Sequence, residues 1–356
     1  LSAGGFTKLR IPIEFGSLGF SLPEAFEVLV AVAAADSNIA QGLRPHFLAV
    51  ESLLIAPDSE HCTKWLRKIA EEGVVIGNAL TEVGNKPGEL KTKIRKDGEA
   101  FVLSGTKFYS TGSLYADWIQ VHAKDEEDQD VFAFVDSDAS GVVLVDDWDG
   151  FGQKLTASGT TTFKDLEVDP RWIIPRTDAP TLVWTYLQLN LLTVLVGSAA
   201  AAVDEVVARA QSSTRNAWNP GVERRSDPAA TIAIGDARSR VTVIRGALLD
   251  ATRHVSNAAT IATPDAFNEA DAIVAALWPI VSEQALVVTS TVFDAVGASA
   301  VLGEHSIDRH WRNVRTVSSN NPLFLAKNAV GEYALNGTPV GTNIGKALSR
   351  PVSLSS

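Results

Sequence analysis

"GEAFVLSGTKFYSTG", residues 98–112, is the stretch on which the fold turns. It mixes aromatic and β-branched residues with small polar ones and is punctuated by glycine at 98, 105 and 112. That pattern belongs to a half-buried strand bounded by turns. The runs "DWIQVHAKD" (117–125), "DVFAFVD" (130–136), "GVVLVDDW" (141–148) and "GTTTFKDLEVDP" (159–170) repeat it between Gly, Asp and Ser. Residues 76–175 are therefore expected to form a small β barrel or sandwich. The acidic "KDEEDQD" at 124–130 reads as a solvated hairpin tip, and His122 reads as a structural strand residue.

On both sides the period changes to that of helices. In "SLPEAFEVLVAVAAADSNIA" (21–40), Ser21 is placed to cap a helix that carries Pro23 in its first turn. Residues 1–75 are expected to be an N-terminal helical domain. Further on, Ile234, Ala237, Val241, Ile244, Leu248, Ala251 and Val255 step by three and four, which is the seam of a bundle helix. Thr263 and Pro264 open another helix that runs towards Gly297 with a kink expected at Pro279. Ahead of both, "NAWNPGVERRSDP" (216–228) reads as a loop, and its 219–228 part, with almost no apolar anchor, is expected to be mobile. Residues 176–345 form the expected C-terminal four-helix bundle, with a tail at 346–356. The class is α+β, mainly α.

Composition narrows the function. The chain has 356 residues, 46% of them hydrophobic, enough to build a large core. A net charge of −11 disfavours nucleic acid, whose phosphates require a basic surface. The single cysteine, Cys62, excludes an internal disulfide and suits the reducing cytoplasm. The most apolar stretch, 187–203, is interrupted by Gln188, Asn190, Thr193, Gly197 and Ser198, so it reads as a buried helix and no membrane is implied. The opening "LSAGGFTKLRIP" has no initiator methionine and no charged-then-apolar leader. It reads as a chain entered partway, and no signal peptide is expected. There is no GxxxxGK[ST], no GxGxxG between strand and helix, and no GxSxG. The six histidines form no HExxH pair, and His305 and His310 are five apart, so no metal site is expected.

The motifs "NALTE" (78–82), "GTKFYSTGSLYADW" (105–118), "GFGQKLTASGTTTFKDLEV" (150–168) and "DRHWRNVRT" (308–316) occur in an α–β–α order. Together they resemble the acyl-CoA dehydrogenase superfamily across nearly the whole chain. "VDDWDGFGQKLTASGT" (145–160), the "RTVSSNNP" that ends at 322, and "VGEYALNG" (330–337) resemble one branch of it. That branch is the flavin-dependent monooxygenases of the dibenzothiophene-desulfurising and sulfur-acquisition type. An N-terminal helix expected of the family is absent.

The resemblance implies roles residue by residue. Asn78 matches an amide near the flavin, Thr111 a hydroxyl over its N5 edge, and Tyr109 a residue facing the substrate cavity. Trp148 matches the wall of the isoalloxazine and substrate pocket, with a core position as the alternative. Tyr109 and Thr111, two apart, would share one face of an ideal strand. Arg215, in "STRNAW", matches an arginine that reaches the flavin phosphate. Gly297 and Ala298, in "VGAS" (296–299), lie where a neighbouring subunit brings its backbone to the cofactor, although a family arginine there is Ser299. Arg312 and Arg315 either join that clamp or pair with Asp308 and Asp294. His46 and Phe47 are cavity candidates beside the ring edge.

The same resemblance implies the chemistry. Superfamily dehydrogenases use a carboxylate near the C-terminal helices, and no Asp or Glu occurs from 313 to 331. The monooxygenases carry a histidine near flavin C4a, where oxygen adds; here the position is Asn320. An amide donates a hydrogen bond but does not titrate. That departure bears on proton transfer and not on flavin binding. Trp311 is expected to pack into the bundle, with Asn320 lining the oxygen-reaction cavity. The expected protein is a homotetramer that takes reduced FMN from a separate flavin reductase and uses O2 to oxidise a small organic, possibly organosulfur, substrate. The alternatives are an FAD-dependent acyl-CoA dehydrogenase and a flavin-free binding or scaffold relative.

Overall fold

The computed structural model describes residues 4–55, 59–85, 89–175, 181–213, 216 and 219–341. Three helices come first: α1 (Leu22–Ala35), α2 (Ser37–Ile55) and α3 (Glu60–Glu72). α1 starts on a capping box. The Ser21 hydroxyl accepts from the Glu24 amide, and the Glu24 carboxylate accepts from the Ser21 amide at 2.8 Å. Eight strands follow: β1 (Ile76–Ala79), β2 (Lys93–Asp97), β3 (Ala100–Lys107), β4 (Trp118–Lys124), β5 (Asp130–Asp136), β6 (Val142–Val145), β7 (Thr160–Val168) and β8 (Ile173–Pro175). Five helices complete the order: α4 (Val183–Ser212), α5 (Pro228–Ile261), α6 (Pro264–Thr291), α7 (Asp308–Ser318) and α8 (Leu323–Asn336).

The strands form one sheet in the order β6-β7-β3-β2-β4-β5-β8, with β1 added in parallel beside β4. β4 shows the strand period cleanly: Ile119, Val121 and Ala123 are buried, and the residues between them are partly exposed. These side chains join Leu103, Ala133 and Phe163 in the core of the sheet. The tip at 124–130 is a β4–β5 hairpin, as expected; Asp125 Oδ1 accepts the amides of Glu127 and Gln129 at 2.9 and 2.8 Å. His122 is held to Asp130 at 2.9 Å.

The largest core joins the first helices to the last ones. α1 and α2 pack on α4, and α4 packs on α5, α6 and α7 around Leu192, Leu195, Val241, Leu248 and Trp278. The expected α5 seam is buried from Ala237 to Val255, with Ile234 at its edge. Thr263 caps α6, which continues through Pro279. α4 and α6 are long and apolar enough to cross a membrane, but 67% of the apolar window of α4 and 56% of that of α6 lie inside the protein. They are the central helices of the bundle.

In the 219–228 loop Arg224 and Asp227 are buried. Asp227 accepts from Asn216 and from the Ala229 amide, and Arg224 lies 3.9 Å away.

Candidate active site

The site is built where β1 and β3 end and two loops meet them. β3 stops at Lys107, Phe108 bridges to Thr81, and at Tyr109 the backbone turns left-handed with φ 58°. The expected strand through Tyr109 and Thr111 is therefore broken. The Thr111 amide bonds back to the Tyr109 carbonyl at 2.7 Å, closing a three-residue turn. The two side chains separate accordingly: Tyr109 is 49% exposed and Thr111 only 4%. A left-handed tyrosine is uncommon, and such strain persists where surrounding structure over-determines it.

The second loop, 146–159, carries Trp148. Its indole is half-buried and lies edge-on to Tyr109, with ring centroids 5.9 Å apart. Trp148 Nε1 donates to the Gln153 carbonyl at 2.9 Å. Gly150 makes room for the indole, since a Cβ there would fall 2.1 Å from Trp148 Cζ2. Trp148 is thus braced and half-buried, outside the hydrophobic core.

α7 locks this loop from behind. The Gln153 amide donates to Asn313 Oδ1 at 2.7 Å, and Asn313 Nδ2 donates to Ser37 Oγ at 2.9 Å. Inside the loop a row of hydroxyls leads to Thr111: Thr111 Oγ1 to Ser158 Oγ at 3.0 Å, Ser158 Oγ to Thr156 Oγ1 at 2.8 Å, and Thr156 Oγ1 to the Gln153 carbonyl at 2.9 Å. Beside it, Asn78 on β1 is buried with Oδ1 unpaired among the described residues, and Ser110 Oγ is buried and unpaired as well. The Asn78 carbonyl accepts from Ser113 at 2.9 Å, which ties β1 to the 110–116 turn.

The structure therefore gathers Asn78, Tyr109, Thr111 and Trp148 in one place. Orphaned buried polar atoms beside an indole and a phenol suit a flavin ring, which requires an aromatic wall and a few polar partners along its edge. Glu82, at the end of the "NALTE" motif, is engaged elsewhere. It accepts the amides of Lys91 and Thr92 at 2.8 Å each and the buried Lys107 ammonium at 3.0 Å. Burial opposes its charge, but these bonds hold its pKa at about 2.

Other sequence candidates fall elsewhere. His46 is fully buried with both ring nitrogens engaged: Nδ1 accepts the Ile76 amide at 3.2 Å and Nε2 meets the Thr7 carbonyl at 2.7 Å. The accepted bond fixes the neutral tautomer with its proton on Nε2. Burial lowers its pKa to about 4. Phe47 is also core, edge-on to Phe6 at 5.4 Å, because helix α2 turns it towards the bundle. Trp311 does not pack into the bundle. It stacks on Phe151 at 6.1 Å on the surface, since Val314 and Val317 take the inner face of α7.

Arg312 forms one of its two expected contacts, the ion pair with Asp308. Its Nε meets Asp308 at 2.8 Å, and the guanidinium also reaches the Phe151 carbonyl at 3.3 Å. Arg309 and His310 both meet Glu205 of α4, at 2.7 and 3.0 Å. Gly297 (φ 79°) lies next to Arg224; a Cβ on Gly297 would lie 3.3 Å from the Arg224 guanidinium. Asn320 is exposed just past α7, so within the protomer it does not line an enclosed cavity. Arg215 and the tail at 346–356 lie outside the described residues.

Sequence reasoning missed Asn313, Gln153, Ser158 and Ser110. Ser158 sits inside a motif that drew attention for other residues. Nothing in the spacing announces Asn313, which acts across 160 positions.

Comparison with known proteins agrees with this geometry. Residues 78–166 match the family described as acyl-CoA dehydrogenase, middle domain, and residues 190–321 match acyl-CoA dehydrogenase, C-terminal domain. A dibenzothiophene monooxygenase of Rhodococcus erythropolis is 27% identical over 95% of this chain and 86% of its own. A probable FMNH2-dependent monooxygenase, SfnC, of Pseudomonas putida is 25% identical over 94% of this chain and 87% of its own. The crystal structure of FMN-bound TdsC from Paenibacillus sp. A11-2 superposes with a TM-score of 0.88 at 25% identity, covering 95% of this chain and 89% of that one. With both domain families matched in order over more than half of its length, the chain belongs to the acyl-CoA dehydrogenase superfamily.

Proposed function

We propose that this chain is the oxygenase of a two-component, FMN-dependent monooxygenase that oxidises a small organic substrate of the organosulfur class, with reduced FMN delivered by a separate flavin reductase. One observation carries the reading: Asn78 Oδ1 and Ser110 Oγ are buried and unpaired among the described residues, on segments tied to the turn where exposed Tyr109 meets half-buried Trp148. Similarity to FMN-dependent monooxygenases along nearly the whole chain supports it.

Bound reduced FMN supplies the electrons that activate O2. The protein supplies the rest. Trp148, braced by Gln153 and Gly150, and Tyr109 wall the ring and keep water from its face. Asn78 and Ser110 offer polar partners to its edge. Thr111 Oγ1 is held in a hydroxyl row with Ser158 and Thr156 that ends on the Gln153 carbonyl, so its orientation is set before substrate arrives. Arg312 steadies the Phe151 end of the loop rather than the phosphate. Arg215, and Gly297 with Ala298 from a neighbouring protomer, are read as the phosphate end. Asn320 is read as a hydrogen-bond donor at the mouth of the oxygen-reaction cavity.

The dehydrogenase reading is weaker because Glu82, the carboxylate of the "NALTE" motif, is tied to Lys107 and, with its pKa lowered to about 2, is a poor base for removing an α-proton. Residues 1–75, 76–175 and 176–345 are read as three domains, and the bundle as the core of a homotetramer in the cytoplasm. Exposed Ile232 and Val243 on α5 and Phe324 and Leu335 on α8 support the assembly. Light scattering that gives a monomer with flavin bound would contradict it. The function is tested by anaerobic titration with reduced FMN and reduced FAD, followed by air. FMN should bind more tightly and support oxygenation; a preference for FAD would sink the reading.

A further inference from the structure

α4, α6, α8 and the segment at 321–322 line a partly open cavity, and none of Asn78, Tyr109, Thr111 or Trp148 lines it. Its walls include Trp184, Thr185, Gln188, Asp271, Trp278 and Asn321. The space, mouth included, is about 430 Å³, of which a water molecule can enter about 20 Å³. One water needs roughly 10–15 Å³ by that measure, so only a compact ligand of a few heavy atoms fits.

The polar groups on these walls are not satisfied by the protein. Gln188 is 4% exposed, yet both its Oε1 and its Nε2 lack a partner among the described residues. Asn321 Nδ2 is also buried and unpaired, while its carbonyl accepts from Trp278 Nε1 at 3.3 Å. Asp271 accepts from the Thr185 hydroxyl but pairs with no cation among the described residues. Each buried amide group left unpaired costs about 1–3 kcal/mol, and an unpaired carboxylate costs more. Two such amide side chains, meeting in one cavity a carboxylate that has no cation among the described residues, point to an occupant with both a positive donor and an acceptor.

We propose that this cavity binds a small protonated amine carrying an oxygen acceptor, with the ammonium at Asp271 and the oxygen at the amide N–H groups of Gln188 and Asn321. The indoles of Trp184 and Trp278 favour a cation, because an aromatic face is attractive to positive charge. Burial pushes Asp271 up to about 6, as expected of a carboxyl that lacks its counter-charge. An anion would meet the same carboxylate, and a large aromatic ligand would not fit.

Titration calorimetry of the whole chain with ethanolamine hydrochloride at neutral pH tests this, with ethylene glycol as the neutral analogue of similar shape. Ethanolamine should bind saturably at one site, and ethylene glycol should not. Asp271→Asn should weaken binding at least ~10-fold, since the charge-assisted bond is lost. Ala275→Leu, which fills the cavity without touching its polar groups, should abolish it. Thermal melts confirm that each variant is folded, and FMN affinity should be the same in both. Absence of saturable binding to the folded wild type would overturn the proposal. So would equal binding of ethylene glycol, unchanged affinity in Asp271→Asn or in Ala275→Leu, or loss of FMN affinity in parallel.

Discussion

Replacing His46 with leucine separates two roles for this residue, one in a substrate cavity and one as a buried clamp. The ring joins three segments: helix α2, the Thr7 carbonyl near the N-terminus, and the Ile76 amide at the start of β1. Leucine fills similar space and leaves both backbone groups unpaired. Each unpaired group costs about 1–3 kcal/mol, so His46→Leu should lose ~2–5 kcal/mol at neutral pH. The acid dependence gives a second magnitude. The folded pKa is lowered to about 4 from 6.5, so below 6.5 the unfolded chain binds the extra proton. Stability from this group is therefore complete above pH 6.5 and is lost as pH falls towards 4. At 1.36 kcal/mol per unit, the loss across that window is ~3 kcal/mol. Urea denaturation of the flavin-free chain followed by tryptophan fluorescence measures both. Subtracting variant from wild-type stability at each pH isolates the histidine, and the gap should shrink between pH 6.5 and 4. A His46→Leu protein as stable as wild type but impaired in substrate oxidation would refute the clamp and restore the cavity role.

Gly150→Ala should push the Trp148 indole aside, because the new methyl would lie 2.1 Å from Cζ2. FMN affinity should fall about tenfold with little change in melting temperature, and an unchanged dissociation constant would argue against the wall. Asn320→Ala should raise uncoupled hydrogen peroxide release, and Asn320→His should introduce a titration near neutral pH in the rate profile. If coupling and substrate oxidation are the same in Asn320→Ala, the residue is structural. Asp271→Asn should stabilise the fold at pH 8 by up to ~3 kcal/mol and have no effect near pH 3. The raised carboxyl pKa makes the folded state bind the extra proton between 3.8 and about 6, so stability falls as pH rises through that range. Equal stability of the two proteins at pH 8 by urea denaturation would contradict it.

By itself the sequence determined what neighbouring residues decide. Ser21 and Glu24 satisfy each other's backbone three positions apart, and Thr263 with Pro264 starts α6 in the same local way. The period of α5 put Ala237 to Val255 on one face wherever that face was to go. The alternation in β4 did the same for Ile119, Val121 and Ala123. The order of these elements, with the motifs at their ends, was enough for the superfamily.

Only the tertiary structure decided which polar groups were already taken. His46 reads as a free cavity histidine until its partners, 39 and 30 positions away, use both ring nitrogens. Arg312 reads equally well as a phosphate clamp or as the partner of Asp308, because a guanidinium four residues from a carboxylate can serve either. The left-handed turn at Tyr109 is imposed by Gly159 and Thr156, whose carbonyls take the amides of Ser110 and Gly112, and no local preference of tyrosine would suggest it. Trp311 faces outward because α7 has room for only one apolar face, and Val314 and Val317 hold it. Hydrogen-bond partners far apart in the chain leave no periodicity behind, so the chemistry of this site was legible in residue types while its geometry depended on the packed fold.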